Sequence, residues 1–370
     1  MLMLNNPRSW LDLSQNERQI LSLIRQRGPL PRAALATATG LSPQAITNLT
    51  RRLIQNGLLD AGAVVRGKVG QPSTPLSLAP DGALFLGLKL GRRLVELALV
   101  DFVGNIKIHR QEIYTHPTPD RVLTFARHGL ATLLDSLPHS ARITGLGVAA
   151  PFRLWDWGSE MAGWHDFDLA ASLTAEMGFP VFMENDASTA CAAELIFGRA
   201  ALPRDFVHLY IAHFAGGGVV LDGRLRIGPR RNAGALGSMP IADGRQLLDI
   251  ASVSTLESRL GRSLPPDDLG WHVPADIQTV WIAESADALA YAALSATALL
   301  DIPVVVVDGA VPPAIRRALT EATRAALARL PAAGIDRPEI VEGSLGRSAR
   351  ILGAAALPLA HFFEPGGALA

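Results

Sequence analysis

Hydrophobic and polar positions alternate with different periods along this chain, and the periods change at definable points. Over residues 14–27, Ile20, Leu21 and Ile24 recur at helical spacing, which predicts a first helix. A short helical stretch beginning near Leu35 ends in a turn at Gly40-Leu41. Beyond it, Ile46, Leu49, Leu53 and Ile54 form one apolar face that runs to Asn56-Gly57. Ser42 stands where its hydroxyl can accept a free backbone N–H of that helix. Pro43 then takes the first helical position, where a missing N–H costs nothing. The opposite face carries Gln44, Thr47, Asn48, Arg51 and Arg52, side-chain types that pair with base edges and grip phosphates. Residues 64–72 predict a hairpin with a basic tip, and residues 75–78 a strand. This is the layout of a winged helix-turn-helix. The competing reading is an amphipathic helical hairpin with a polar outer face.

Leu78-Ala79-Pro80-Asp81-Gly82 interrupts the pattern, and a domain boundary is expected there. Strands are predicted over 83–90, 94–102 and 106–114, a helix over 119–137 and a buried strand over 143–150. The order β-β-β-α-β is that of a ribonuclease-H-like, actin-like lobe. A strand over 180–183 leads through Glu184-Asn185-Asp186 into a helix over 187–197. Further strands are predicted over 206–212 and 217–221, with Asp222-Gly223 as a hairpin turn into 224–227. Helices over 246–260 and 275–299 follow, then a β-branched strand over 302–308, a helix from about residue 312, a strand over 339–342 and a last helix over 347–363. The expected fold class is α/β, a winged head followed by a two-lobed actin-like body. The domains are residues 1–79, 80–190 and 191–370, with the last helix assigned to the second lobe or packed back on the first.

Charge separates the head from the body. Residues 1–79 hold nine basic and three acidic residues, a net of +6, and the remainder carries −6. A neutral total thus conceals a basic head, which suits a polyanion such as double-stranded DNA. No apolar run is long enough to span a bilayer. No signal peptide is read at the N-terminus, so a cytoplasmic location without a membrane partner is expected. A single cysteine, Cys191, excludes an internal disulfide and a multi-cysteine metal site.

Several fragments, in order, resemble the ROK family of repressors and sugar kinases. They are Gly145-Leu146-Gly147-Val148-Ala149-Ala150-Pro151, Glu184-Asn185-Asp186-Ala187, Gly216-Gly217-Gly218, Ala233-Gly234-Ala235-Leu236-Gly237-Ser238-Met239 and Asp308-Gly309. The head is similar to those of the family's repressors for xylose and N-acetylglucosamine. The resemblance implies a transcriptional regulator, a repressor, that acts as a homodimer or homotetramer on a DNA operator. The alternative is a sugar kinase with a DNA-binding head, and a third reading is a body that only dimerises. For DNA contact the candidates are Ser42, Gln44, Thr47, Asn48, Arg51 and Arg52 on the helix, with Arg66, Lys68 and Gln71 in the wing.

The same resemblance sets expectations for the body. Family kinases cradle phosphate with Asp-x-Gly-Gly-Thr, and the matching positions here are Lys89-Leu90-Gly91-Arg92-Arg93. The second cradle, Gly-Thr-Gly-x-Gly-Gly-Gly, corresponds to Ala212-His213-Phe214-Ala215-Gly216-Gly217-Gly218, where the glycines serve strand packing equally well. A non-enzyme without a cofactor is therefore expected, with no catalytic residue assigned. Asp186 matches the family's catalytic Asp and Asn185 its sugar-binding neighbour. Asp186 as the cap of the following helix is an equal and compatible reading. The family's Glu-x-Gly-His is Ala235-Leu236-Gly237-Ser238, and its Pro-Gly is Pro151-Phe152. Asn185, Asp186, Ser238, Phe152 and Trp164 are the candidates for a sugar-like effector. Trp155, Trp157 and His165 either line the same altered pocket or belong to a surface loop and the lobe core. Between Met239 and Leu256, the family's zinc segment, there is neither Cys nor His, so zinc is not expected and no metal-ligating residue is assigned.

Overall fold

The structure, a computed structural model, describes residues 11–64, 73–138, 140–198 and 202–366. Helix α1 (Gln15–Arg27) begins with a reciprocal cap: the Ser14 hydroxyl accepts the Glu17 N–H, and the Glu17 carboxylate accepts the Ser14 N–H at 2.9 Å. Strand β1 (Leu30–Pro31), which the sequence pattern does not reveal, leads into α2 (Arg32–Thr39). Gly40 ends α2 in a left-handed conformation. Ser42 caps α3 (Pro43–Gln55), its hydroxyl accepting the Ala45 N–H at 3.2 Å. Strands β2 (Leu59–Ala61) and β3 (Pro75–Leu78) complete a three-stranded antiparallel sheet ordered β1-β3-β2. Ile20, Leu21, Leu35, Ile46 and Leu53 are fully buried, while Leu49 and Ile54 are half-buried. Arg66, Lys68 and Gln71 of the wing lie outside the described residues.

The first body sheet is built from β4 (Leu84–Leu90), β5 (Leu94–Asp101), β6 (Ile106–Ile113), β7 (Ile143–Ala150) and β8 (Val181–Asn185), ordered β6-β5-β4-β7-β8. Its first three strands are antiparallel, and β7 and β8 run parallel to β4. Helix α4 (Pro119–Asp135) packs on it. A helix absent from the sequence reading, α5 (Leu169–Met177), lies before β8; Asp168 caps it and left-handed Gly178 stops it. Helix α6 (Asp186–Phe197) follows β8 directly.

The second sheet has the order β11-β10-β9-β12-β13, from β9 (Phe206–Ile211), β10 (Gly216–Leu221), β11 (Arg224–Leu225), β12 (Val304–Gly309) and β13 (Glu339–Glu342). Asp222 and Gly223 both have positive φ, as a two-residue hairpin turn of this kind requires. The helix expected over 246–260 is two, α7 (Leu248–Ala251) and α8 (Val253–Leu260), because Ser252 is extended between them. Helices α9 (Ala275–Leu300) and α10 (Pro313–Arg329) cover the face of this sheet that presents Val207, Leu209, Val305 and Val307.

Helix α11 (Ala349–Phe363) packs on α6, β4, β5 and β7. Pro358 lies inside it and has no N–H to offer the Ala354 carbonyl. Gly147 of β7 comes against that carbonyl so closely that a Cβ there would overlap its oxygen. Gly353 approaches the Thr189 backbone of α6 in the same way. The apolar core around α11 continues into the head without a break: Leu21, Leu53 and Leu76 belong to the same cluster as Phe85, Phe102 and Phe363. The Phe102 and Phe363 rings are 4.8 Å apart. Beside them Arg25 of α1 meets Glu364 at 3.1 Å, with side chains 5% and 7% exposed, and Arg25 also donates to the Phe102 carbonyl. Burial pulls the Arg25 guanidinium below its ordinary pKa and pushes the Glu364 carboxyl above its own. Replacing Gly147 by Ala is expected to cost about 3 kcal/mol, because backbone blocks the added methyl. Gly163→Ala, where a Cβ would meet only Pro119 at 3.7 Å, should be near neutral; chemical denaturation of the two variants checks the contrast.

Candidate functional site

Two surfaces hold the residues singled out by the sequence. On the head, Ser42, Gln44, Asn48, Arg51 and Arg52 are exposed on α3, and Thr47 is half-buried. The Ser42 hydroxyl serves the helix cap, and the Thr47 hydroxyl donates to the Pro43 carbonyl at 2.8 Å. The side chains of Gln44, Asn48 and Arg51 have no hydrogen-bond partner among the described residues, so their polar groups are available for another molecule. Arg52 is not equivalent to Arg51. Its guanidinium donates to the Asp12 carbonyl at 2.9 Å and lies 3.4 Å from the buried Glu17 carboxylate. It joins α3 to α1. Arg32 makes a similar tie from α2, donating to the buried Thr50 hydroxyl at 2.9 Å.

The second surface is the cleft between the two body sheets, a cavity of about 280 Å³ lined by Phe152, Asn185, Asp186, Tyr210, Ser238 and Arg350 among others. Asn185, not Asp186, caps α6: its side-chain oxygen accepts the N–H groups of Ala187 at 2.9 Å and Ser188 at 3.3 Å. Asn185 keeps a non-helical backbone, whereas Asp186 is already the first helical residue. The Asp186 carboxylate is thereby free to take a different partner, and Arg350 of α11 donates to it at 3.0 Å. Arg350 also lies 5.5 Å from the Tyr210 ring. Burial works against its charge, but Tyr210 and Asp186 outweigh it and hold Arg350 above its ordinary pKa.

Long side chains fill the loop that corresponds to the first phosphate cradle. Lys89 is buried and paired with Glu96. Desolvation and the nearby Arg350 lower the Lys89 pKa. Arg92 lies 5.9 Å from the Phe214 ring across the cleft. Arg93 reaches α8, donating to Glu257 at 2.8 Å. Burial alone would raise the Glu257 carboxyl, yet the nearby His213 ring, 3.5 Å away, and hydrogen bonds from the Leu264 N–H and Arg93 bring it down to about 2. The β4–β5 hairpin is therefore clasped to the second sheet's helices.

A neighbouring hollow of about 570 Å³ lies against β8 and the turns after β7. Phe152 (40% exposed) and Trp155 (38%) stand at its rim, and Glu184 pairs there with Arg231. Trp164 lines its inner wall but is 4% exposed, its indole N–H donating to the Pro117 carbonyl at 2.8 Å. Trp164 is thus mainly a core residue, and Trp155 is the aromatic face offered to solvent. The side chain of Trp157 lies outside the described residues. Ser238 lines the first cavity, and its carbonyl accepts the Gln246 side chain at 3.3 Å. The sequence reading missed Arg350, Glu96, Glu257 and Arg231. Arg350 had a visible signal, a lone charge in the apolar run 349–360.

The ROK family profile matches residues 85–257, and a winged helix-turn-helix DNA-binding profile matches residues 13–60. The y4fQ protein of Sinorhizobium fredii is 27% identical over 96% of this chain and 93% of its own length. The xylose repressor of Bacillus subtilis is 23% identical over 61% of this chain, and the match spans 60% of that repressor. Among solved structures, a ROK family transcriptional regulator described as a homologue of the Escherichia coli Mlc protein superposes with a TM-score of 0.67 at 22% identity, covering 97% of this chain and 98% of its own. The ROK hexokinase of Thermus thermophilus shares the body fold, with a TM-score of 0.56 at 24% identity over 74% of this chain and 97% of its own. No helix among the described residues is long and apolar enough to cross a membrane. Head, body and relatives agree: residues 85–257 match the ROK family, residues 13–60 match a winged helix-turn-helix ahead of it, and the whole is similar to ROK transcriptional regulators.

Proposed function

We propose that this chain is a cytoplasmic transcriptional repressor that binds a double-stranded DNA operator as a homo-oligomer and senses a sugar-like effector with a non-catalytic body. The observation that carries the reading is the polar face of α3, with Gln44, Asn48 and Arg51 unpartnered on a head docked onto a ROK body. The xylose-repressor likeness supports the same assignment. The effector's place is the cleft of Asn185, Asp186, Ser238 and Phe152, with Trp155 at the rim of the adjoining hollow.

The kinase alternative meets a charge problem. Transfer of a phosphoryl group needs open backbone N–H groups for the phosphates and a base free to take a proton. Here Arg350 holds Asp186, and Lys89 and Arg93 are engaged with carboxylates at the first cradle. A ligand at 100 times its dissociation constant adds about 2.7 kcal/mol of stability. Millimolar magnesium-ATP is nevertheless expected to leave the melting temperature unchanged; a clear rise would restore the kinase reading.

Footprinting on the chain's own upstream region should show protection with two-fold symmetry. On that duplex, Asn48→Ala is expected to cost about 1–3 kcal/mol and on a scrambled duplex little, because a base-edge pair is lost. Equal weakening on both would remove α3 from the major groove.

Arg51 and Arg52 should separate cleanly. Arg51→Ala weakens cognate and scrambled binding alike and lowers the salt slope by about one unit, leaving the melt unchanged. Arg52→Ala lowers stability by about 1–2 kcal/mol, since it strips the buried Glu17 carboxylate of its charged neighbour. Melting curves and salt titrations of both variants test the division.

A further inference from the structure

Behind the cleft floor lies a group of donors that the reading above does not use. Strands β9 and β12 are parallel, with Val306 opposite His208 and Asp308 opposite Tyr210. Side chains alternate along a strand, so His208, Tyr210, Val306 and Asp308 share one face. Helix α6 covers that face through Cys191 and Ala192, and supplies Glu194. One donor atom from each of Glu194, His208 and Asp308 falls within 4.8 Å of the others, and the three residues are 2%, 0% and 0% exposed.

His208 supplies a second, independent observation. Neither of its ring nitrogens has a hydrogen-bond partner among the described residues. Its Nε2 lies 3.9 Å from Asp308 Oδ2, too far for a direct hydrogen bond. Nitrogen and oxygen bonds of about 2.0–2.1 Å to one cation separate two ligands by roughly 3–4 Å. The carboxylates are held from behind, as the ligands of a metal usually are. Glu194 accepts the Ser344 hydroxyl at 2.9 Å and its N–H at 3.2 Å; Asp308 accepts the N–H groups of Gly309 at 2.8 Å and Gly346 at 3.0 Å. Arg316, 3.6 Å from Asp308, is shared with Glu342 at 3.0 Å, and Arg317 lies 3.8 Å from Glu342.

We propose that Glu194, His208 and Asp308 form a buried site for a divalent transition-metal ion of the zinc class. One imidazole with two carboxylates suits such an ion better than magnesium, which prefers oxygen ligands in a regular octahedron. The ion pins α6, β9 and β12 together directly behind Tyr210. This site is separate from the 239–256 segment, and it does not depend on what the head binds.

The test uses the full chain, tag removed, stripped with chelator, reloaded with zinc or cobalt and passed through gel filtration. Elemental analysis should find about one zinc per chain, and visible absorption of the cobalt form should report four or five ligands. Zinc should raise the melting temperature, and magnesium at equal concentration should not. His208→Gln, Glu194→Gln and Asp308→Asn should each weaken zinc retention at least tenfold. Wild-type protein that retains no metal, a cobalt spectrum of the free hydrated ion, or variants that retain zinc as well as wild type would each overturn the proposal. The first two results are read on wild-type protein, so the test stands even if a variant fails to fold.

Discussion

Close contact between α11 and two glycine positions sets the arrangement of everything else. Pro358 leaves a carbonyl of α11 without its usual donor, and Gly147 lets β7 come up against that exposed oxygen. On the other side Gly353 lets α6 do the same. The helix has 15 residues and so spans about 22 Å. Its first turn delivers Arg350 to Asp186 in the cleft, while its last turn delivers Phe363, followed by Glu364, to the head. One rigid element therefore touches both surfaces to which function is assigned, and neither end can shift by much unless the glycine contacts give way.

Charged side chains tie down the turn between β4 and β5. Lys89 and Arg93 are each held by a carboxylate on a neighbouring element. The buried Lys89–Glu96 pair recovers its desolvation cost only in part, whereas Arg93 is 37% exposed and loses less hydration. Their retention here is better explained by position than by stability. The Arg93–Glu257 contact connects the β4–β5 hairpin of the first sheet to α8 of the second lobe.

Much of this was legible from residue order. Ser42 and Pro43 mark the start of α3, and the β-branched run that contains β12 reads as a buried strand. Asn185-Asp186 marks the junction of β8 and α6, but composition could not tell which of the two would cap, since both are good acceptors. Helix α5 carried its own signals, Asp168 before it and Gly178 after it, inside a stretch where three tryptophans drew attention to the pocket instead. Partners such as Arg350 with Asp186, or His208 with Asp308, are set by sheet register and by the lie of α11. Spacing in one chain contains no record of either. Arg52 was assigned to phosphate by type, and type gives no hint of its contacts with Asp12 and Glu17, 40 and 35 positions earlier.

The Arg25–Glu364 pair also bears on how the protein is made. Its two members are 339 positions apart. At about 5–20 residues per second, the ribosome needs on the order of tens of seconds to travel between them. During that interval α1 to α3 and Phe102 have emerged, while Phe363 and the Glu364 carboxylate do not yet exist. Until then Arg25 is without its carboxylate partner, and in water its charge carries no desolvation cost. Attachment of head to body through Glu364 therefore waits for α11, and a chain interrupted before α11 lacks this tie between α1 and the body.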